Sequence, residues 1–205
     1  MAAENIYGSS WNQYSNALLH EALYVYEKCI AELQVHFDRI DYLEIGSCQG
    51  LSISVVGLML KDRGLLGDLV SVDPYFEDGY DEGAKLARQR NIRINVDKRT
   101  KEQAFRLYTS LGINVSLLEM KSSEGLVKLL KENRRYHLIY IDGSHEALNP
   151  TVDFGLSCAL CHSNGIVMLD DHLQPDVIGI KSLCDRHCVK VADCWKVAAY
   201  KISCL

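Results

Sequence analysis

Ile40-Asp41-Tyr42-Leu43-Glu44-Ile45-Gly46-Ser47-Cys48-Gln49-Gly50 reads as a short apolar strand that stops at a glycine and hands over to a helix. Gly46 lets the chain turn sharply at the strand end, and Gly50 lets the next helix begin close to whatever fills the turn. The helix itself is Leu51 to Leu60, closed by Gly64. A dinucleotide fingerprint would need glycine at 48 and 51, where Cys and Leu stand, and no Gly-Lys-Ser/Thr follows as in a P-loop. Both usual pyrophosphate cradles are therefore missing. The turn suits a ligand without one.

The same strand-then-helix rhythm repeats on both sides. Upstream, Leu18, Leu19, Ala22, Leu23, Tyr26, Cys29, Ile30 and Leu33 place one amphipathic helix over 15–37, with Asn12 or Ser15 as its cap. Downstream, strands are expected at Leu69–Asp73, Asn114–Glu119, His137–Asp142 and Ile166–Leu169. Polar helical sequence within 81–111 and helices at Gly125–Leu130, Pro150–Cys161 and Val177–Cys188 separate or follow them, with Asn164-Gly165 as the stop signal of the third. The chain closes on two strand-like pieces, Val189–Cys194 and Val197–Ser203. Such alternation predicts an α/β fold, a doubly wound and mostly parallel sheet of about seven strands with helices on both faces and an antiparallel last strand. One domain is expected over 1–205, a helical cap over 1–38 and a ligand-binding core over 39–205.

Composition narrows the classes. The 205 residues are 48% apolar and 24% charged, with a formal net charge of −5, which excludes a disordered or fibrous chain. The acidic balance argues against a nucleic-acid partner. No apolar run is long enough to span a membrane, and the first residues lack a basic and an apolar segment of a secretory leader, so a cytoplasmic protein is expected. The long apolar first helix also offers a surface for a homo-oligomer.

Eight cysteines follow the same logic: without a leader, reduced thiols are the default. Cys158-x-x-Cys161-His162 with Cys184, His187 and Cys188 can be read as zinc ligands, or as small core residues late in an apolar helix.

In a doubly wound sheet, ligands bind outside the carboxyl ends of the strands. The strand-end stations here carry acidic residues: Glu44, Asp73, Glu119 to Glu124, Asp142 and the Asp170-Asp171 pair. Carboxylates in a half-buried crevice are costly unless something pairs with them. Asp73 can accept both hydroxyls of a ribose. Asp142, Asp170 and Asp171 end neighbouring strands, and three like charges so close would repel unless a cation sits among them. Oxygen ligands favour Mg²⁺, Mn²⁺ or Ca²⁺. His145 is the natural proton acceptor, with helix capping as its plain alternative and His172 as a second base.

Glu-x-Gly-x-x-x-Gly after the first strand, the acidic residue after the second, and Tyr140-Ile141-Asp142-Gly143-Ser144-His145 followed by Gly165 through Asp171 resemble class I S-adenosylmethionine-dependent methyltransferases. The likeness is greatest to the small metal-dependent O-methyltransferases of the catechol and macrolide-sugar type. It spans about 38–205. It implies a Rossmann-like fold and S-adenosylmethionine as cofactor, with Glu44, Gly46, Ser47, Cys48 and Gly50 around the methionine end, Asp73 on the ribose, and Ser122 and Ser123 by the adenine. It further implies a small-molecule hydroxyl acceptor and a divalent ion on Asp142, Asp170 and Asp171, with Asp142 also beside the cofactor and His145 as base. Two positions depart from the catechol-type pattern: His145 stands where it has Lys, and Asp171 where it commonly has Asn. A non-catalytic protein of this fold and an NAD(P)-linked oxidoreductase are the alternatives. Trp11, Tyr14, Tyr24 and the loop from Tyr75 to Tyr80 are candidates to roof the acceptor.

Overall fold

Strands covered by helices on both faces read as near-continuous apolar runs, and the central ones here do, broken only by Glu44, Ser71 and His137. The computed structural model describes residues 17–75, 100–146 and 148–202. Asn12, Ser15, Trp11, Tyr14, Cys204 and nearly all of the expected Tyr75–Tyr80 roof lie outside them. Among the described residues the strands are β1 (Tyr42–Ile45), β2 (Leu69–Val72), β3 (Val115–Leu118), β4 (Tyr136–Ile141), β5 (Cys161–Leu169), β6 (Val189–Asp193) and β7 (Ala198–Lys201). The helices are α1 (Ala17–Gln34), α2 (Leu51–Asp62), α3 (Thr100–Leu111), α4 (Ser122–Lys131), α5 (Asn149–Leu160) and α6 (Pro175–His187). Every residue of β1, β2 and β4 is buried, whereas β3 is only partly so, as an edge strand should be.

One seven-stranded sheet runs in the order β3-β2-β1-β4-β5-β7-β6. β1 to β5 are parallel, and β7 is antiparallel to both β5 and β6. The expected fold is the observed one. Alternate strand residues feed two separate cores. Tyr42, Leu138, Tyr140 and Met168 pack with Tyr26 and Ile30 of α1 and Ile53 and Val56 of α2. Leu43, Ile45, Ile139 and Ile141 pack on the other face with Leu126 of α4, Phe154 of α5 and Val177 of α6. Each such fully buried aliphatic side chain contributes about 1.5–3 kcal/mol. Among the described residues no helix is long and apolar enough to cross a membrane.

One boundary differs from the sequence reading. The third of those helices ends at Leu160, and β5 begins at Cys161, with Asn164 at φ +65° and a register shift against β4. Asn164-Gly165 is therefore a bulge within β5 and not a helix stop. A methyl group on Gly165 would lie 2.5 Å from the Cys161 sulfur.

Strand order reverses between β1 and β4, which opens the binding crevice at their carboxyl ends. β7 enters the sheet at that same edge: Ala198, its first residue, pairs with Leu169, the last of β5. The turn before β7 consequently lies beside the acidic ends of β4 and β5.

Candidate active site

The turn after β1 is built from left-handed residues, Gly46 at φ +83°, Cys48 at +47° and Gly50 at +76°. A Cβ on Gly46 would stand 2.1 Å from the Asp142 carbonyl oxygen, so the turns that leave β1 and β4 abut directly. A Cβ on Gly50 would fall 2.4 Å from the Tyr108 hydroxyl, which lays α3 against the start of α2. Asp73 ties this turn to the next. Its side chain is fully buried, and its two oxygens accept the Cys48 and Tyr75 N–H groups, each at 2.9 Å.

Glu44 points from β1 into the face that carries α2. It has no exposed surface, yet both oxygens are satisfied, by Tyr42 Oη at 2.6 Å and Ser52 Oγ at 2.6 Å. Burial pushes its carboxyl up to about 7, against the pull of those two hydroxyls. Ser47 shares hydrogen bonds with Ser71 Oγ at 2.6 Å and Tyr75 Oη at 2.9 Å. Among the described residues the buried Tyr108 hydroxyl above Gly50 makes no hydrogen bond of good geometry, although the Ser47 and Tyr75 hydroxyls lie close by. An anionic carboxylate, a left-handed turn and a buried hydroxyl together fit the charged amino-acid end of S-adenosylmethionine.

Ser122 and Ser123 open α4; Ser122 is half-buried and Ser123 exposed. Behind Ser122 lies Asp153 of α5, buried, with neither oxygen in a hydrogen bond of good geometry among the described residues. Burial raises its carboxyl to about 6, with the Ser122 hydroxyl pulling the other way.

Asp142, Asp170 and Asp171 do come together. Burial first, and then the charge of Asp170, hold the Asp142 carboxyl well above the usual carboxylate range. A cation is already present among them: the Lys196 ammonium forms an ion pair with Asp170 Oδ2 and lies 3.7 Å from Asp171 Oδ1. Tyr140 Oη donates to the other Asp170 oxygen at 2.5 Å. Gln174 Nε2 donates to Asp171 Oδ2 at 2.8 Å, and His145 Nε2 is 3.5 Å from the same oxygen. The four oxygens of Asp170 and Asp171 thus face internal donors. Among the described residues no group of three or more His, Cys, Asp or Glu side chains is arranged to hold a metal ion, neither this trio nor the cysteines and histidines of α5, β5 and α6. No disulfide joins any of the seven described cysteines. The expected divalent ion does not fit the acidic site as built.

The two histidines separate cleanly. His145 is half-exposed and faces Asp171, whose carboxyl is lowered to about 2, chiefly by that histidine. His172 is buried, with Nε2 against the Cys194 carbonyl oxygen at 2.7 Å. His145 and Asp170 border one small depression with Ile141, Gly143, Ser144 and Leu169. Tyr24 is exposed on α1. Lys196, Tyr140, Tyr108 and Asp153 escaped the sequence reading. For Lys196 a signal existed: an antiparallel last strand starts at the carboxyl edge, so the residues just before it join the site.

A family model described as a methyltransferase domain matches residues 43–172. No curated protein matches. Among solved structures, the O-methyltransferase NovP is similar at a TM-score of 0.66 and 15% identity, over 90% of this chain and 80% of that one. CalS11, a TDP-rhamnose 3′-O-methyltransferase of calicheamicin biosynthesis, is similar at 0.59 and 12%, over 88% and 78%. The ribosomal protein L11 methylase from Lactobacillus delbrueckii subsp. bulgaricus is similar at 0.51 and 12%, over 86% and 77%. A sugar-modifying and a protein-modifying enzyme share the fold, so the fold leaves the acceptor open.

Proposed function

The chain belongs to the methyltransferase-domain family, and from that premise we propose that it is a class I S-adenosylmethionine-dependent enzyme that methylates a hydroxyl group of a small molecule. The abutment of the Gly46 turn on the Asp142 turn carries this reading, because it sets the donor-binding loop beside the loop that bears His145. S-adenosylmethionine, when bound, supplies an electrophilic sulfonium methyl. Gly46, Ser47, Cys48 and Gly50 make room for its methionine end, and Glu44 provides the negative charge that faces it. Asp73, which accepts the Cys48 and Tyr75 N–H groups at the end of β2, is the carboxylate that would face the ribose hydroxyls. Ser122 and Ser123, at the start of α4, would contact the adenine.

On the acceptor side, Asp171 orients His145, which takes the hydroxyl proton as the oxygen attacks. Asp171 stays ionised far below neutral pH and so stabilises the imidazolium that forms. His172 is engaged with the Cys194 carbonyl and serves structure, which leaves His145 as the base. Alignment of the two reactants dominates an in-line displacement of this kind. No step runs through a divalent ion. The acidic net charge agrees with a small acceptor and no nucleic acid.

The test is radiolabelled methyl transfer from S-adenosylmethionine to a panel of phenols, catechols and nucleotide sugars. Transfer to one hydroxyl class, lost in His145→Gln with S-adenosylhomocysteine affinity intact, is the expected result. Binding of S-adenosylhomocysteine without transfer to any acceptor would favour a non-catalytic protein of the same fold.

A further inference from the structure

Three carboxylates at neighbouring strand ends need a counter-charge, and the chain carries one of its own. We infer that Lys196 is the resident cation of the Asp142, Asp170 and Asp171 cluster, standing where the resemblance implies a divalent ion and making the acceptor site independent of metal. Two sets of contacts place it there. Its ammonium bridges the fully buried Asp170 and the half-buried Asp171, and only 26% of its side chain is exposed. The turn that bears it is fastened on both sides. Cys194 N–H donates to the Val197 carbonyl at 2.8 Å, and Val197 N–H to the Cys194 sulfur at 3.2 Å. His172, directly after the acidic pair, takes the Cys194 carbonyl at 2.7 Å and donates its N–H to the Lys196 carbonyl at 3.4 Å.

Two of the three acids are committed as well. Asp170 spends one oxygen on Tyr140 and the other on Lys196, while Asp171 spends one on Gln174 and turns the other to Lys196. A Mg²⁺ ion requires near-octahedral oxygen ligands at about 2.0–2.1 Å and would have to displace the ammonium and repel it over a few ångströms. Burial opposes the lysine's charge, but the three aspartates outweigh it and push its pKa up. An ammonium has three donors. With one on Asp170 and one towards Asp171, the third is free to meet an acceptor oxygen, so Lys196 is a positioning residue for the hydroxyl whose proton His145 removes. The metal claim stands whether or not the acceptor is a hydroxyl compound.

Mn²⁺ alone is the probe, read by the electron paramagnetic resonance of the free aqua ion in titrations of the full chain without acceptor. Wild type should leave the signal nearly unchanged in the micromolar range. Lys196→Met, and independently Lys196→Gln, should bind Mn²⁺ at least tenfold more tightly, and Asp170→Asn added to either should abolish the gain. Lys196→Arg, which keeps the charge, should behave as wild type. S-adenosylhomocysteine affinity identifies the folded variants and separates a failure of this inference from a failure of the methyltransferase reading. Tight binding by wild type overturns the inference, and so does equal binding, weak or tight, in wild type and the two neutral variants.

Discussion

Glu44 makes cofactor binding depend on pH in a direction that can be worked out. Its carboxyl sits at about 7 in the ligand-free protein because burial strips its hydration, although Tyr42 and Ser52 both donate to it. A bound ligand with an ammonium and a sulfonium favours the ionised form and drives a proton off. If the bound state has an ordinary glutamate value of about 4.3, the free protein is roughly 90% protonated at about pH 6 and roughly 10% at about pH 8. Affinity for S-adenosylmethionine should therefore rise about tenfold between these values, or ~1.4 kcal/mol. Near pH 7, calorimetry in buffers of different ionisation enthalpy should report about half a proton released per ligand bound. Glu44→Gln should flatten both effects, which separates Glu44 from His145. A flat profile in wild type, or a slope that survives in Glu44→Gln, refutes the placement of Glu44 against the cationic ligand. The same raised value has the opposite consequence for folding. The native state holds the proton more tightly than the unfolded chain, so this contribution to stability is present at low pH and is lost as pH rises through about 7.

Other perturbations test other joints of the site. Gly46→Ala must hold a left-handed residue, at about 1–2 kcal/mol, and drive a methyl into the Asp142 backbone, at a further ~1–3 kcal/mol; a urea midpoint showing less than about 1 kcal/mol of loss would mean the two turns do not abut. Asp73→Asn should weaken S-adenosylhomocysteine binding by about 1.5–3 kcal/mol in calorimetry, and unchanged affinity would remove Asp73 from the ribose. His145→Gln should lower kcat about 10²–10⁴-fold with little change in cofactor affinity. His172→Phe, by contrast, should lower the melting temperature through the lost contact to the Cys194 carbonyl; the reverse pattern would exchange the roles of the two histidines.

The parallel core was legible because Tyr42–Ile45, Leu69–Val72 and Tyr136–Ile141 are almost unbroken apolar runs, each followed by a turn or an acid. The strand-end carboxylates were legible for the same reason: an Asp that closes a buried run has nowhere to go but the edge. Asn164-Gly165 misled because an Asn-Gly pair with a left-handed Asn marks a helix stop and a strand bulge equally well, and only the register shift of β5 against β4 distinguishes them. The need for a cation among Asp142, Asp170 and Asp171 followed from like-charge repulsion, but its identity did not. Lys196 lies in a hairpin turn more than twenty residues downstream, and only the antiparallel pairing of β7 with β5 returns it to the acids. Tyr140 reads as one more core residue until its hydroxyl is seen on Asp170. Asp153 sits within a helix and carries no sequence mark of its burial against α4.

The most direct measurement is a calorimetric titration of the full chain with S-adenosylhomocysteine, set beside NAD under the same conditions. One equivalent of S-adenosylhomocysteine bound in the micromolar range, weakened in Asp73→Asn, with no heat from NAD, is what a donor site at the carboxyl ends of β1 and β2 predicts. Binding of NAD, or no binding of S-adenosylhomocysteine by folded protein, would contradict it.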